Sequence, residues 1–154
     1  MPGTYREQYE RARRWYARLE ALDVGRDHTV ESDNYVDEVY AFFMNCYHVK
    51  DWIRNDPDVP EAVRARVEQY VNSSRPLSLC ADICNALKHL TLNGSRSGES
   101  PSFGSKRYRL AFGGAPKIGL TYEIETAKGA TDAFTLATEC MEDWGRFLSD
   151  NGLD

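Results

Sequence analysis

The sequence has none of the short motifs that identify the commonest enzyme and cofactor-binding classes. It contains no glycine-rich phosphate loop, no nucleophile elbow and no pair of CxxC motifs. It also lacks a run of about 18 apolar residues, which a membrane span requires, and its first residues lack the apolar segment of a secretion signal. We therefore expect a cytoplasmic protein that does not associate with a membrane and needs no cofactor or metal ion.

Positive charge is in deficit, and cysteines are few. The formal net charge of −5 disfavours indiscriminate coating of nucleic acid but permits a local basic groove. Two sets of residues are candidates for such a groove: Arg6, Arg11, Arg13, Arg14 and Arg18 near the start, and Arg96, Lys106, Arg107 and Arg109 farther on. The four cysteines lie within helical patterns, which predicts buried, reduced thiols rather than a disulfide framework; they are Cys46, Cys80, Cys84 and Cys140.

Amphipathic helical periodicity covers most of the 154 residues, of which 42% are hydrophobic. The pattern predicts helices over about 4–23, 32–55, 58–71, 77–92 and 131–148. A polar, mobile loop is expected at about 93–102, followed by hairpin strands at 108–112 and 120–125. We expect a single domain over residues 1–154 with a mainly α fold, a four- to five-helix bundle with one inserted β-hairpin at about 105–127.

The fourth predicted helix carries a polar stripe that could do chemistry. Offsets of three, four and seven place Asp82, Asn85 and His89 on one side of this helix, and an imidazole titrates near neutral pH. The second helix has a polar side of its own, formed by Glu38, Asn45, His48, Trp52 and Asn55. We expect the two polar sides to face each other and to enclose His48 and His89 in a sheltered crevice. The alternative is that each is the solvated face of an amphipathic helix.

These elements resemble the HEPN domain of prokaryotic toxins, defence proteins and RNA-processing enzymes. The resemblance rests on a long aromatic helix, a short connector helix and the sequence Cys84-Asn85-Ala86-Leu87-Lys88-His89. Active HEPN domains carry Arg-x(4 to 6)-His, often Arg-Asn-x-x-x-His, and act as metal-independent RNases. Asn85 and His89 match that motif, whereas Cys84 stands at the arginine position and offers no permanent cation to a phosphate.

The resemblance and this departure together imply a non-catalytic or weakly active HEPN-like module. Such a module would bind RNA, a nucleotide or a partner protein, in a prokaryotic defence or toxin–antitoxin context, and form a homodimer. The alternative is an endoribonuclease in which His89 is the general base. The residues assigned to catalysis are His89, Asn85 and His48, and those assigned to binding are Asp82, Lys88, Asn45, Trp52, Lys50 and Arg54.

A metal site is a second functional interpretation of the same helices. It would use His48, His89, Asp51 and Asp82 as ligands. The sequence disfavours it, because neither His-x-x-x-His nor Glu-x-x-His occurs. Cys80 and Cys84 share a helix face with Leu87, which predicts two packed thiols rather than a zinc or redox pair.

Overall fold

The computed structural model describes residues 3–27, 32–89, 94–111 and 117–154. Within these residues the chain forms five helices and four strands, in the order α1 (Tyr5–Val24), β1 (Arg26–Asp27), α2 (Ser32–Asn55), α3 (Glu61–Ser73), α4 (Arg75–His89), β2 (Ser102–Ala111), β3 (Lys117–Thr126), β4 (Gly129–Asp132) and α5 (Ala133–Asp150). The expected mainly α fold with a hairpin is confirmed. The predicted end of the fourth helix at 90–92 and most of the hairpin turn lie outside the described residues.

Local signals explain where α1 and α5 begin and end. Gly25 follows α1 with a φ of 106°, a conformation that glycine adopts without steric cost. Asp132 precedes α5, and its side chain accepts a hydrogen bond from the Thr135 N–H at 3.1 Å. Both boundaries agree with the sequence prediction to within about two residues, the usual uncertainty of helix ends.

The third helix begins two residues later than a cap at Asp58 predicts. Asp58 was expected to cap it, but the helix starts at Glu61, with Pro60 in the capping position. The preceding turn is organised instead by Asp56, a buried carboxylate that accepts from the N–H groups of Asp58 and Tyr5, both at 2.9 Å. Because Asp56 also holds the start of α1, the α2–α3 turn and the first turn of α1 are fixed together.

The hydrophobic core is built around α2, as the sequence predicts. Its apolar face is buried against α1, α3, α4 and α5 and comprises Tyr35, Val39, Phe42, Phe43, Cys46, Val49 and Ile53. Val36, which was predicted for the same face, is partly buried at its edge. Across the part of the chain that the structure describes, none of the helices is both long enough and apolar enough to cross a bilayer.

The sheet is longer than the predicted hairpin and lies against the helices. Strand β3 is central and pairs antiparallel with β2 and with the short strands β1 and β4, which were not predicted. Alternate residues of β3 turn into the core, namely Leu120, Tyr122 and Ile124. The register shifts between Phe103 and Lys106, which inserts one extra residue into β2 as a β-bulge. The sheet therefore gains its stability from one covered face.

Candidate functional site

Asp82 is not the solvated carboxylate that the polar stripe of α4 predicts. Its side chain is 0% exposed, and its two oxygens accept four hydrogen bonds from the following loop. The donors are the Ser95 and Ser97 hydroxyl groups at 2.8 and 2.5 Å and the Arg96 and Ser97 backbone N–H groups at 2.7 and 3.0 Å. A buried carboxylate requires such partners. Asp82 therefore anchors the loop, and its assignment to ligand binding stays a prediction.

The same loop, residues 94–101, is attached at a second place. Arg75, the first residue of α4, donates two hydrogen bonds of 2.9 Å each to the buried carboxylate of Glu99. The Glu99 carbonyl accepts from the Ala127 N–H at 3.1 Å, next to the β3–β4 turn. The loop is therefore anchored to α4, because side chains of α4 satisfy polar groups that composition alone assigns to solvent.

The two histidines are not sheltered. His48 on α2 and His89 at the end of α4 are both exposed, and Asn85 is half-buried. The expected crevice enclosing both imidazoles is therefore absent from the described part of this chain. The stripe of α4 runs instead from a buried carboxylate through a half-buried amide to an exposed imidazole. The catalytic roles of His89, Asn85 and His48 stay predictions.

Two predicted binding residues take part in helix packing. The Asn45 side chain donates to the Ala41 carbonyl at 2.8 Å, and its backbone and side-chain oxygens accept from the amide of Gln8 on α1 at 2.9 and 3.2 Å. Trp52 is half-buried, and the Arg11 guanidinium lies 5.5 Å from the centre of its ring. Both side chains therefore join α1 to α2.

The structure brings two other predicted residues, Lys50 and Arg54, together around a carboxylate. Glu68 on α3 lies 3.0 Å from the Lys50 ammonium, 2.5 Å from the Arg96 guanidinium and 4.0 Å from the Arg54 guanidinium. The Tyr47 ring lies 4.8 Å from the Lys50 nitrogen and 5.7 Å from the Arg96 guanidinium carbon. We call these five residues the Glu68 cluster: Tyr47, Lys50, Arg54, Glu68 and Arg96. It joins α2, α3 and the loop.

Sequence reasoning missed Glu68 and Tyr47 as members of this cluster. One signal was present: Lys50 and Arg54 are four residues apart on one helix, and like charges at this spacing repel unless a carboxylate lies between them. Which carboxylate does so depends on how α3 packs against α2. Lys50 itself is buried, which is rare for a lysine and is not predicted by the sequence.

The part of α4 that carries the resemblance lies beside α2. Cys84 is 6% exposed, and burial raises its pKa to about 11. The charges of Lys88, Asp51 and Lys50 also act on this thiol. The residue at the family's arginine position is therefore a neutral, buried thiol at physiological pH.

The ion pairs of Glu68 and Glu99 predict a loss of stability in acid. Arg75 holds the pKa of Glu99 below the usual 4.5; at Glu68 burial acts upward, but Lys50 and Arg96 outweigh it and lower the pKa. A carboxyl group with a lowered folded pKa stabilises the fold fully above its unfolded pKa, and this contribution is lost as the pH falls through the folded value. We expect Glu99→Gln to be less stable than the unchanged chain at neutral pH, with a difference that shrinks below about pH 4.

Urea denaturation at a series of pH values measures this difference. Glu61→Gln is the matched control, because Glu61 is exposed at the start of α3. A stability difference for Glu99→Gln that is the same at acidic and neutral pH would contradict the ion-pair explanation.

All four cysteines are buried and free, as predicted. Burial raises the pKa of Cys80 and Cys140 well above the usual range. At Cys46 burial acts in the same direction, but the neighbouring side chains of Cys140 and Cys80 outweigh it and lower the pKa. Among the described residues, the group whose metal-ligating atoms come together is Cys46, Cys80 and Cys140, rather than the set of histidines and aspartates that the metal interpretation names.

Comparison with known proteins found no match to this chain. No protein-family model matches the chain, and no significant match was found among curated proteins or among solved structures. The HEPN-like resemblance therefore stays a prediction, and any function must be argued from the side chains themselves.

Proposed function

We propose that this chain is a catalytically silent HEPN-like module that binds RNA through the exposed cations beside the Glu68 cluster. The proposed absence of catalysis is supported by one observation. Cys84, at the position of the family's arginine, has a buried, neutral thiol. An arginine would offer a permanent cation and several donors to a phosphate in the transition state. A protonated thiol offers one weak donor and no charge.

Local charge supports RNA as the ligand. The Glu68 cluster contains three cationic side chains, Lys50, Arg54 and Arg96, against the carboxylates of Glu68 and the neighbouring Asp51, and Lys88 adds a fourth cation on α4, which packs against α2. This surplus contrasts with the net charge of −5 for the whole chain. Phosphate groups bind where cations are in local excess, even on an acidic protein.

Two of these cations are available to a ligand. The Arg54 side chain is 63% exposed, and its contact with Glu68 is at the 4.0 Å limit of an ion pair. Lys88 is exposed on the last turn of α4. The exposed imidazole of His48 lies beside this surface, with its ring centre 6.4 Å from that of Tyr47. An exposed ring next to phosphate-binding cations suits the stacking of an unpaired base, which favours single-stranded RNA.

Removing the two exposed cations should weaken RNA binding. We expect the double variant Arg54→Gln/Lys88→Gln to bind a labelled single-stranded RNA at least tenfold more weakly, and the slope of log K against log salt to decrease in magnitude by about 1.4, because each phosphate contact on a single strand contributes about 0.7. Fluorescence anisotropy at several salt concentrations measures both quantities.

The matched control is Arg13→Gln/Arg146→Gln, which removes the same charge from two exposed arginines that form ion pairs on α1 and α5. Equal weakening by the control would show that only overall charge matters and would overturn the proposed surface. Binding of nucleotides or of a protein without RNA binding would overturn RNA as the ligand. RNA cleavage that is lost in His89→Ala would replace the silent module with the endoribonuclease alternative.

A further inference from the structure

Three cysteine side chains meet at one point in the helical core. Cys46 comes from α2, Cys80 from α4 and Cys140 from α5, and their sulfur atoms all lie within 4.8 Å of one another. The three residues are 0%, 1% and 0% exposed. We call them the thiol cluster. It is separate from the Glu68 cluster and has no part in the proposed RNA binding.

The three helices are held at this level by polar contacts of the same residues. The Cys80 thiol donates to the Phe43 carbonyl and the Cys140 thiol to the Pro76 carbonyl, each at 3.3 Å. The Trp144 indole N–H donates to the Cys46 carbonyl at 3.1 Å. The sulfur atoms are therefore presented by three anchored segments, which is the pre-organisation that a ligand site requires.

The spacing of the sulfur atoms suits one three-coordinate ion. Bonds of about 2.3 Å to one central ion hold three sulfur atoms about 4 Å apart in a trigonal plane, and somewhat closer together where a lone pair makes the centre pyramidal, as it does in trivalent arsenic. The thiol cluster reaches this geometry with small side-chain shifts from separations of at most 4.8 Å. Soft ions prefer an all-sulfur ligand set.

The total charge of the ion and its three thiolates determines which soft ion the buried site favours. Three thiolates with a monovalent or divalent ion leave a net negative charge in a fully buried site, which is costly without a compensating cation. The charge from outside the cluster that acts on Cys140 comes from Asp143 and is also negative. A trivalent ion with three thiolates is neutral and suits a dry, apolar surrounding.

We propose that the thiol cluster binds arsenic(III) through the sulfur atoms of Cys46, Cys80 and Cys140. Arsenous acid, As(OH)3, supplies the ion. Three As–O bonds break and three As–S bonds form, and each thiol proton leaves with a hydroxide as water. The oxidation states of arsenic and sulfur do not change, so the reaction needs no oxidant or reductant. Because the cluster is buried, uptake requires local opening of the helices and is slow.

Reduced full-length protein incubated with sodium arsenite and separated from free arsenite tests the proposal. We expect about one arsenic atom per chain, and X-ray absorption should show three sulfur atoms at one distance from it. The separate variants Cys80→Ala and Cys140→Ala should each raise the dissociation constant at least tenfold. Cys84→Ala is the matched control, because it removes a buried cysteine outside the cluster.

Each possible result either supports or overturns the proposed arsenic site. Two sulfur ligands in the unchanged protein, or equal weakening by Cys84→Ala, would overturn the proposal. Competition experiments compare arsenite with Zn²⁺ and Cu⁺. Tighter stoichiometric binding of either metal ion would overturn the argument that charge neutrality favours arsenic(III). Circular dichroism checks that the variants fold; where a variant does not, the number of sulfur ligands in the unchanged protein decides alone.

Discussion

Replacing Asp82 with alanine is expected to lower the free energy of unfolding by about 3–5 kcal/mol, among the largest effects of any single change in this chain. Asp82 is fully buried and accepts four hydrogen bonds, two from serine hydroxyls and two from backbone N–H groups of the loop. Alanine leaves these donors without their acceptor and opens a gap beneath the loop. Chemical denaturation followed by circular dichroism measures the loss.

Two further variants separate the contributions at this position. Asp82→Asn keeps the shape and one acceptor oxygen but removes the charge, so we expect a smaller loss of about 1–3 kcal/mol. Asp37→Ala removes an exposed carboxylate from α2 and should change stability by less than about 0.5 kcal/mol. Hydrogen exchange of the Arg96 and Ser97 amides should accelerate in Asp82→Ala. Protection that is unchanged there would show that the loop is held by other contacts and would contradict the anchor role.

Trp144→Ala is the second change with a large expected effect, about 3–5 kcal/mol. The indole is 1% exposed and lies among Tyr70 and Phe147, with ring centres 6.5 and 6.0 Å away. Its N–H also donates to the Cys46 carbonyl of α2, so it joins α5 to the central helix. Alanine therefore creates a large cavity and removes a buried hydrogen bond at the same place. Urea denaturation monitored by circular dichroism gives the change in stability.

A phenylalanine at the same position tests the two parts of this effect. Trp144→Phe keeps most of the apolar volume and loses the N–H, and we expect it to cost about 1–2 kcal/mol. Trp15→Phe is the control, because Trp15 is half-buried and its ring faces the Arg18 guanidinium at 4.6 Å. We expect it to cost less than about 1 kcal/mol. Equal costs at the two positions would show that the α5–α2 contact contributes no more than a surface ring.

Much of the fold could be predicted because helix formation and amphipathicity are local properties. Spacing and residue type predict three features: the apolar face of α2, the C-terminal end of α1 before Gly25 and the cap of α5 at Asp132. The start of α3 could not, because Asp58 is a good capping residue in the sequence, yet the helix begins only after Pro60. The preceding turn is fixed by contacts of Asp56 with the N–H groups of Asp58 and of the distant Tyr5.

The candidate site was less predictable than the fold. Lys50 and Arg54 were assigned to binding because they are cations on the second helix, and the structure places both beside Glu68. The helical periodicity did not predict that Asp82 is buried. The serine hydroxyls and backbone N–H groups that bind Asp82 belong to the polar loop that follows its own helix. The sequence pattern of a polar stripe is the same whether water or a loop supplies the hydrogen-bond partners of its side chains.

By itself, the sequence determined the order and type of the major elements, the apolar face of the central helix and the burial of the four cysteines. Only the tertiary structure decided which groups meet: Asp82 with the loop, Glu68 with three cations, and Cys46 with Cys80 and Cys140. The physical reason is that the period of a helix specifies which side of it is apolar. The partner of each polar or thiol group is set by the packing of segments that are distant in the chain.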